Sequence, residues 1–237
     1  MKQIVAMGGG GFSMEPDNPL LDNFVLGLTG KPRPKVCFVP TASGDSESYT
    51  EKFYAAFPAE RAEASHLSLF KRTEPDLRAF VLAQDAIYVG GGSTVNLLAV
   101  WRAHGLDSVL REAWDAGVVL CGVSAGALCW FAGGSTDSFG PLAPLQDGLG
   151  FLPGSLCPHY DGEAERWPTF RQFVEDGLPS GYGVDDSAAV YFTGAQLAEA
   201  IASVPTARAY RVERQGDAVV ETPLPTRFLG SCQKENP

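Results

Sequence analysis

Val118–Phe131 reads VVLCGVSAGALCWF. The first part is an unbroken apolar run of strand length, and the last part starts an apolar helix. Between them lies Gly122-Val123-Ser124-Ala125-Gly126, a G-x-S-x-G pattern. After a buried strand and before a helix, that pattern describes a nucleophile elbow, a sharp turn that holds a serine hydroxyl away from the backbone. Strand and helix pass very close together in such a turn, and Ala125, Gly126 and Ala127 are small enough to allow it. The first helical amides point toward the tip, where they can bind a developing negative charge. Glycine-rich strand–helix turns also bind phosphates or merely pack, so the groups that surround Ser124 decide what it does.

Upstream, strands and helices alternate. Gln3–Met7 is a strand that ends in Gly8-Gly9-Gly10-Gly11. These glycines lack the spacing of a dinucleotide fingerprint, and no P-loop lysine follows. They form a loop whose bare backbone lets another segment, or a substrate, come close. Asn18 and Pro19 cap a helix over Leu20–Leu28. Lys35–Pro40, Ala62–Leu69 and Ala86–Val89 are strands, with helices over Ser48–Phe57 and Pro75–Ala83 between them. Gly90-Gly91-Gly92-Ser93-Thr94 leads into helix Val95–His104, stopped by Gly105, and Leu106–Ala116, stopped by Gly117. This rhythm predicts an α/β fold, a doubly wound and mainly parallel sheet flanked by helices, with function at the carboxyl ends of the strands. Downstream, Ala132–Pro158 is rich in Gly, Pro and Ser and reads as a long irregular loop, functional or hiding short strands. A helix is expected over Trp167–Asp176, a strand broken by an acidic pair over Gly183–Phe192, and an antiparallel hairpin over Ala209–Glu221. Residues 1–229 are read as one domain and Gly230–Pro237 as a disordered tail.

Eighteen basic against 28 acidic residues give a net charge of −10, which argues against sequence-independent nucleic-acid binding. The five cysteines are an odd number without C-x-x-C pairs or zinc-ligand spacing, as expected of reduced thiols in a cytoplasmic protein. The N-terminus enters a strand at once, without a signal peptide's apolar region, and no apolar run reaches membrane-spanning length.

A serine hydroxyl needs a base, most often histidine, and the chain has three. His104 ends a helix, where it caps carbonyls and suits the dipole. His66 has the setting of a partly buried sheet residue. His159, in Leu156-Cys157-Pro158-His159-Tyr160-Asp161, begins a loop after a strand-like run and is the candidate base. The base in turn needs a carboxylate to hold its tautomer. Asp161 is too near in sequence to reach the far ring nitrogen, whereas Asp137 and Asp186, of the pair Asp185-Asp186, both remain. The Ala125 amide and one amide of Gly90-Gly91-Gly92 are the candidate oxyanion donors.

In this order and spacing VGGGSTVNLL, GVSAGA, STD, CPHYD and GVDDSA resemble the peptidase E (aspartyl dipeptidase) family of serine peptidases. Its relatives include the cyanophycinases, and its fold is similar to the class I glutamine amidotransferase domain, a flavodoxin-like arrangement. The resemblance runs from the first strand to the hairpin. It implies Ser124 as nucleophile, His159 as base, and Gly91 or Gly92 with Ala125 as oxyanion hole. It matches Asp137 to the family's aspartate after the elbow, and Asp186 to an acidic residue that is often glutamate in relatives. It implies substrate contacts from Arg166, Tyr160 and Ser93, the last standing where the family usually has asparagine. The implied activity is cleavage of short peptides through an acyl-enzyme, as an aspartyl dipeptidase or a broader dipeptidase or carboxypeptidase, without metal or cofactor. A homodimer is the implied assembly. An esterase or amidase on the same triad, and a carboxylate-binding module without catalysis, are the competing expectations.

Overall fold

Val119–Val123, the strand that ends at Ser124, is buried at every residue and runs parallel to both its neighbours, Gln3–Met7 and Ala86–Val89. The computed structural model describes residues 1–230. In chain order the first part comprises β1 (Gln3–Met7), α1 (Gly11–Met14), α2 (Leu20–Leu28), β2 (Lys35–Val39), α3 (Glu47–Ala56) and β3 (Glu63–His66). It continues with α4 (Leu77–Leu82), β4 (Ala86–Val89), α5 (Thr94–His104), α6 (Leu106–Ala116), β5 (Val119–Val123) and α7 (Ala125–Leu128). The second part comprises β6 (Phe131–Thr136), β7 (Ala143–Leu145), β8 (Leu152–Cys157), α8 (Arg166–Glu175) and β9 (Gly181–Val184). It closes with β10 (Ala188–Thr193), β11 (Gln196–Ala202), β12 (Ala209–Gln215), β13 (Ala218–Pro223) and β14 (Thr226–Phe228).

The strands form two sheets. The eight-stranded sheet has the order β14-β11-β10-β1-β5-β4-β2-β3. Strands β1, β5, β4, β2 and β3 are mutually parallel, while β10 joins β1 in the antiparallel sense. Parallel strands need crossovers, and the crossover helices bury both faces. Along β1, Val5 and Met7 face a cluster with Phe12, Leu21, Val25 and Phe53 of α1, α2 and α3. Ile4 and Ala6 face a second cluster with Val81, Leu97, Trp101 and Leu110 of α4, α5 and α6. Each such fully buried large side chain contributes about 1.5–3 kcal/mol of transfer free energy.

The six-stranded sheet has the order β13-β12-β9-β8-β6-β7. Phe131, Leu145, Leu152 and Leu156 from it join the same cluster as Ile4, Val89 and Leu120 from the first sheet. Trp130 links the layers, with ring centroids 5.9 Å from Trp101 and 5.6 Å from Phe151.

Several expectations need correction. Of the two readings open for Ala132–Pro158, the structure shows the hidden strands: the stretch contributes most of β6 and all of β7 and β8. Its glycines hid the strands: a Cβ at Gly133 would strike the Leu145 carbonyl, and one at Gly134 the Leu156 carbonyl. Close approach of neighbouring backbones, not hydrophobic alternation, determines that stretch. Gly183–Phe192 is two strands in different sheets, and the acidic pair lies at the crossover between β9 and β10. Helix α2 begins after Pro19, which caps it with no side-chain bond; Asn18 Oδ1 accepts from Leu20 N at 3.5 Å, and the Asn18 side-chain amide donates to the Ser203 carbonyl. The strand expected over Ala62–Leu69 shortens to Glu63–His66, and His66 is exposed, with Nδ1 2.8 Å from the Tyr54 hydroxyl. The hairpin is present as β12–β13. Of the expected tail, residues 231–237 lie outside the described residues. The four described cysteines are buried free thiols. No helix of the described residues is long and apolar enough to cross a membrane.

Candidate active site

The carboxyl ends of β1, β5 and β4 lie side by side, and each runs into glycine or Ser124. Ser124 occupies φ 56°, ψ −116°, a conformation that L residues avoid unless the surroundings impose it. Its amide donates to Met7 O at 3.1 Å, and its carbonyl accepts from the amides of Ala127 and Leu128 at 2.9 Å each. These bonds stitch the turn to β1 on one side and to α7 on the other. The glycines of the motif have a direct steric reason. A Cβ at Gly122 would overlap the Gly126 carbonyl, and one at Gly126 the Val89 carbonyl. The Ser124 hydroxyl makes no cap hydrogen bond to α7, so it remains available for chemistry.

The loop after β4 closes over the serine. A Cβ at Gly91 would lie 3.3 Å from Ser124 Cβ and 3.8 Å from its Oγ. The Gly91 amide donates to the Tyr49 hydroxyl at 3.3 Å, a contact from α3 that nothing in the sequence signals. Gly92 has φ 137°, with Ala42 O in the space a side chain would need. No backbone hydrogen bond among the described residues uses the amide of Gly92 or Ala125. Ser93 caps α5, accepting from Asn96 N at 3.3 Å, which gives its hydroxyl a structural task.

The loop after β1 meets the histidine. His159 follows β8, has φ 52°, and sets Nδ1 2.6 Å from Asp186 Oδ1. A Cβ at Gly9 would lie 3.0 Å from His159 Nδ1 and overlap Asp186 Oδ1, so the Gly8–Gly11 run leaves room for this pair. Ser187 N donates to Gly9 O at 3.2 Å and Gly8 N to Ala188 O at 3.0 Å, which ties the start of β10 to the end of β1. Asp161, two residues past the histidine, accepts from Asp186 N at 2.9 Å and so orients the second carboxylate. A carboxylate on Nδ1 favours the tautomer with its proton there, leaving Nε2 to accept one.

The other candidates lie elsewhere. Asp137 follows β6 and meets Arg166 Nη2 at 3.3 Å, not His159. Arg166 is only 3% exposed, and its Nε donates to Glu163 Oε2 at 2.7 Å. Its guanidinium therefore already faces two carboxylates. Tyr160 is buried, and its hydroxyl donates to Glu221 Oε2 at 2.5 Å. His104 ends α5 far along the chain from these loops, and His66 ends β3 at the sheet's far edge.

Residues 4–200 match the family model described as Peptidase family S51. The chain belongs to peptidase family S51. It is 54% identical over 231 residues to the uncharacterized peptidase YgaJ of Bacillus subtilis, covering 97% of this chain and 100% of that one. It is 30% identical over 152 residues to peptidase E of Streptomyces coelicolor, covering 60% of this chain and 61% of that one. Among solved structures, a peptidase from an acI-B1 Actinobacterium superposes with a TM-score of 0.70 at 18% identity, covering 95% of each chain, a likeness of fold. As an S51 member the chain is a serine-type peptidase. Among the described residues no group of His, Cys, Asp and Glu could hold a metal ion.

Proposed function

We propose that this S51 peptidase hydrolyses short peptides through an acyl-enzyme on Ser124. His159 Nε2 takes the hydroxyl proton as Oγ attacks the scissile carbonyl carbon. The same nitrogen then gives that proton to the departing amine as the peptide C–N bond breaks. Water, deprotonated by His159, attacks the ester and releases the acid, returning the proton to Ser124. Asp186 holds the His159 tautomer and stabilises the imidazolium formed in each half-reaction. The amides of Ala125 and of Gly91 or Gly92 receive the oxyanion, and the one at Gly92 is free of backbone partners. The observation that carries this reading is the 2.6 Å contact between His159 and Asp186 against the loop that follows β1, the strand whose last carbonyl binds Ser124 N. An N-terminal aspartate is not favoured by Arg166, because a substrate carboxylate would first have to displace Glu163 or Asp137.

Ser124→Ala is expected to fold with an unchanged thermal midpoint and to lose dipeptide hydrolysis by on the order of 10³ or more. Chromatography of a dipeptide and tripeptide digest measures it. Hydrolysis at the wild-type rate in that variant contradicts the mechanism.

A further inference from the structure

The loop after β4 is held by the segment that runs from β2 into α3. Gly90 N donates to Val39 O at 3.2 Å, and Ser93 N to Ala42 O at 2.8 Å. A Cβ at Gly90 would lie 3.0 Å from Tyr49 Cε1 and 3.0 Å from Phe38 Cζ, so glycine there admits the Tyr49 ring. The next amide, Gly91 N, donates to the Tyr49 hydroxyl at 3.3 Å. Of the four consecutive amides from Gly90 to Ser93, three therefore have partners. Among the described residues the Gly92 amide has neither a backbone nor a side-chain acceptor. An amide left without a partner at this point is one that a ligand oxygen can take.

Tyr49 is itself well fixed. Its amide donates to the helix cap, Ser46 Oγ, at 3.4 Å. Its ring meets Phe38 edge-on with centroids 5.0 Å apart, and Phe12 at 5.6 Å. Burial raises the phenol above its ordinary value, with the Ser13 hydroxyl and the Gly91 amide acting in the opposite sense. It is thus a neutral hydroxyl at any pH where a peptidase works, and its oxygen can accept an amide throughout that range.

Gly91 is where this contact matters, because a Cβ there would lie 3.3 Å from Ser124 Cβ. A run of three glycines has little conformational preference of its own. An oxyanion donor lowers a barrier only when it is aimed before the charge develops, so something outside the run must fix its peptides. The Tyr49 hydroxyl is the side-chain group that does so beside Ser124.

We propose that, in the serine-peptidase mechanism set out above, Tyr49 is a positioning residue for the oxyanion hole. Its hydroxyl engages the Gly91 amide and sets the loop so that the Gly92 amide, with that of Ala125, meets the oxyanion. Gly91 N is thereby withdrawn from the hole. Tyr49 acts through the loop, and its hydroxyl shares no hydrogen bond with Ser124 or His159.

Tyr49→Phe tests this, since it removes the hydroxyl and keeps a ring against Phe38 and Phe12. On the dipeptide that the wild type cleaves fastest, kcat is expected to fall about tenfold or more, with KM within about threefold. Fluorophosphonate labelling of Ser124 is expected to slow by a similar factor at its pH plateau. Its pH midpoint should stay unchanged, because the His159–Asp186 pair is untouched. A merely structural Tyr49 would lower the thermal midpoint and leave kcat of the folded fraction as it was. A smaller fall in kcat, a rise, or a loss carried by KM overturns the proposal. A crystal structure of the wild-type phosphonyl adduct gives a second reading that does not depend on the variant folding. The phosphonyl oxygen is expected at about 3 Å from Gly92 N and Ala125 N, with Gly91 N still on Tyr49. That oxygen on Gly91 N instead overturns the assignment. Wild-type protein that neither takes the label nor cleaves peptides refutes the peptidase mechanism and this role with it. A labelled wild type beside an equally reactive Tyr49→Phe refutes the role of Tyr49 alone.

Discussion

The two walls of the site are held in different ways. On the Ser124 wall, position comes from backbone pressed on backbone: Gly122 against Gly126 O, Gly126 against Val89 O, and a strained serine between them. On the His159 wall, position comes from polar contacts: His159 to Asp186, Asp186 N to Asp161, and Ser187 N to Gly9 O. Packed backbone cannot relax around an added methyl, whereas a lost hydrogen bond leaves the chain trace in place. Damage to the first wall should therefore appear as lost stability, and damage to the second as lost rate.

The largest effect expected is at the first wall. Gly126→Val forces three heavy atoms into the Val89 and Gly90 carbonyls and is expected to cost about 3 kcal/mol or more, read from the denaturant midpoint. A stable, active variant would break the contrast. Gly9→Ala sits where the walls meet. Its methyl displaces the Asp186 carboxylate and crowds His159, so kcat/KM is expected to fall by about 10²-fold while most of the folding stability is kept. A rate loss no larger than the stability loss would blur the comparison.

The smallest effect lies beneath both walls. Asp22 on α2 is buried at 1% exposure, accepts from the Tyr88 hydroxyl at 3.1 Å, and neighbours Gly11. Burial raises its carboxyl from 3.8 to about 6, so between those values the folded chain holds a proton that the unfolded chain has released. Stability at this site is thus highest at low pH and falls as pH rises through that window. Asp22→Asn is expected to gain roughly 1–2 kcal/mol at pH 7 and almost nothing at pH 4, by urea titration at both. An equal gain at both pH values would point to packing rather than ionisation.

The parallel sheet was legible because β1, β2, β4 and β5 are short apolar runs buried on both faces and separated by glycine-stopped helices. The G-x-S-x-G turn was legible because its steric demands leave few residue choices. The second sheet was not, since Gly133, Gly134 and Gly154 replace the alternation that marks a strand. Alanine-rich β11, QLAEAIA, carries no strand signal either. At the site, His159 followed from elimination among three histidines, but the choice between Asp137 and Asp186 depends on which sheet each loop leaves. Asp137 follows β6 of the second sheet, while Asp186 lies where the chain returns to β10 beside β1. Arg166 read as a cation for substrate, yet Glu163, three residues before it, pairs with it locally, and Asp137 is brought to it only by the folded chain.

The central claim is that Asp186, rather than Asp137, sustains His159 as the base for Ser124. The most direct measurement is the rate at which a fluorophosphonate labels Ser124 in Asp186→Asn and in Asp137→Asn. We expect the rate to drop by on the order of 10³ in Asp186→Asn and to stay within about threefold of wild type in Asp137→Asn. Full labelling of Asp186→Asn, or its collapse in Asp137→Asn alone, would contradict the account.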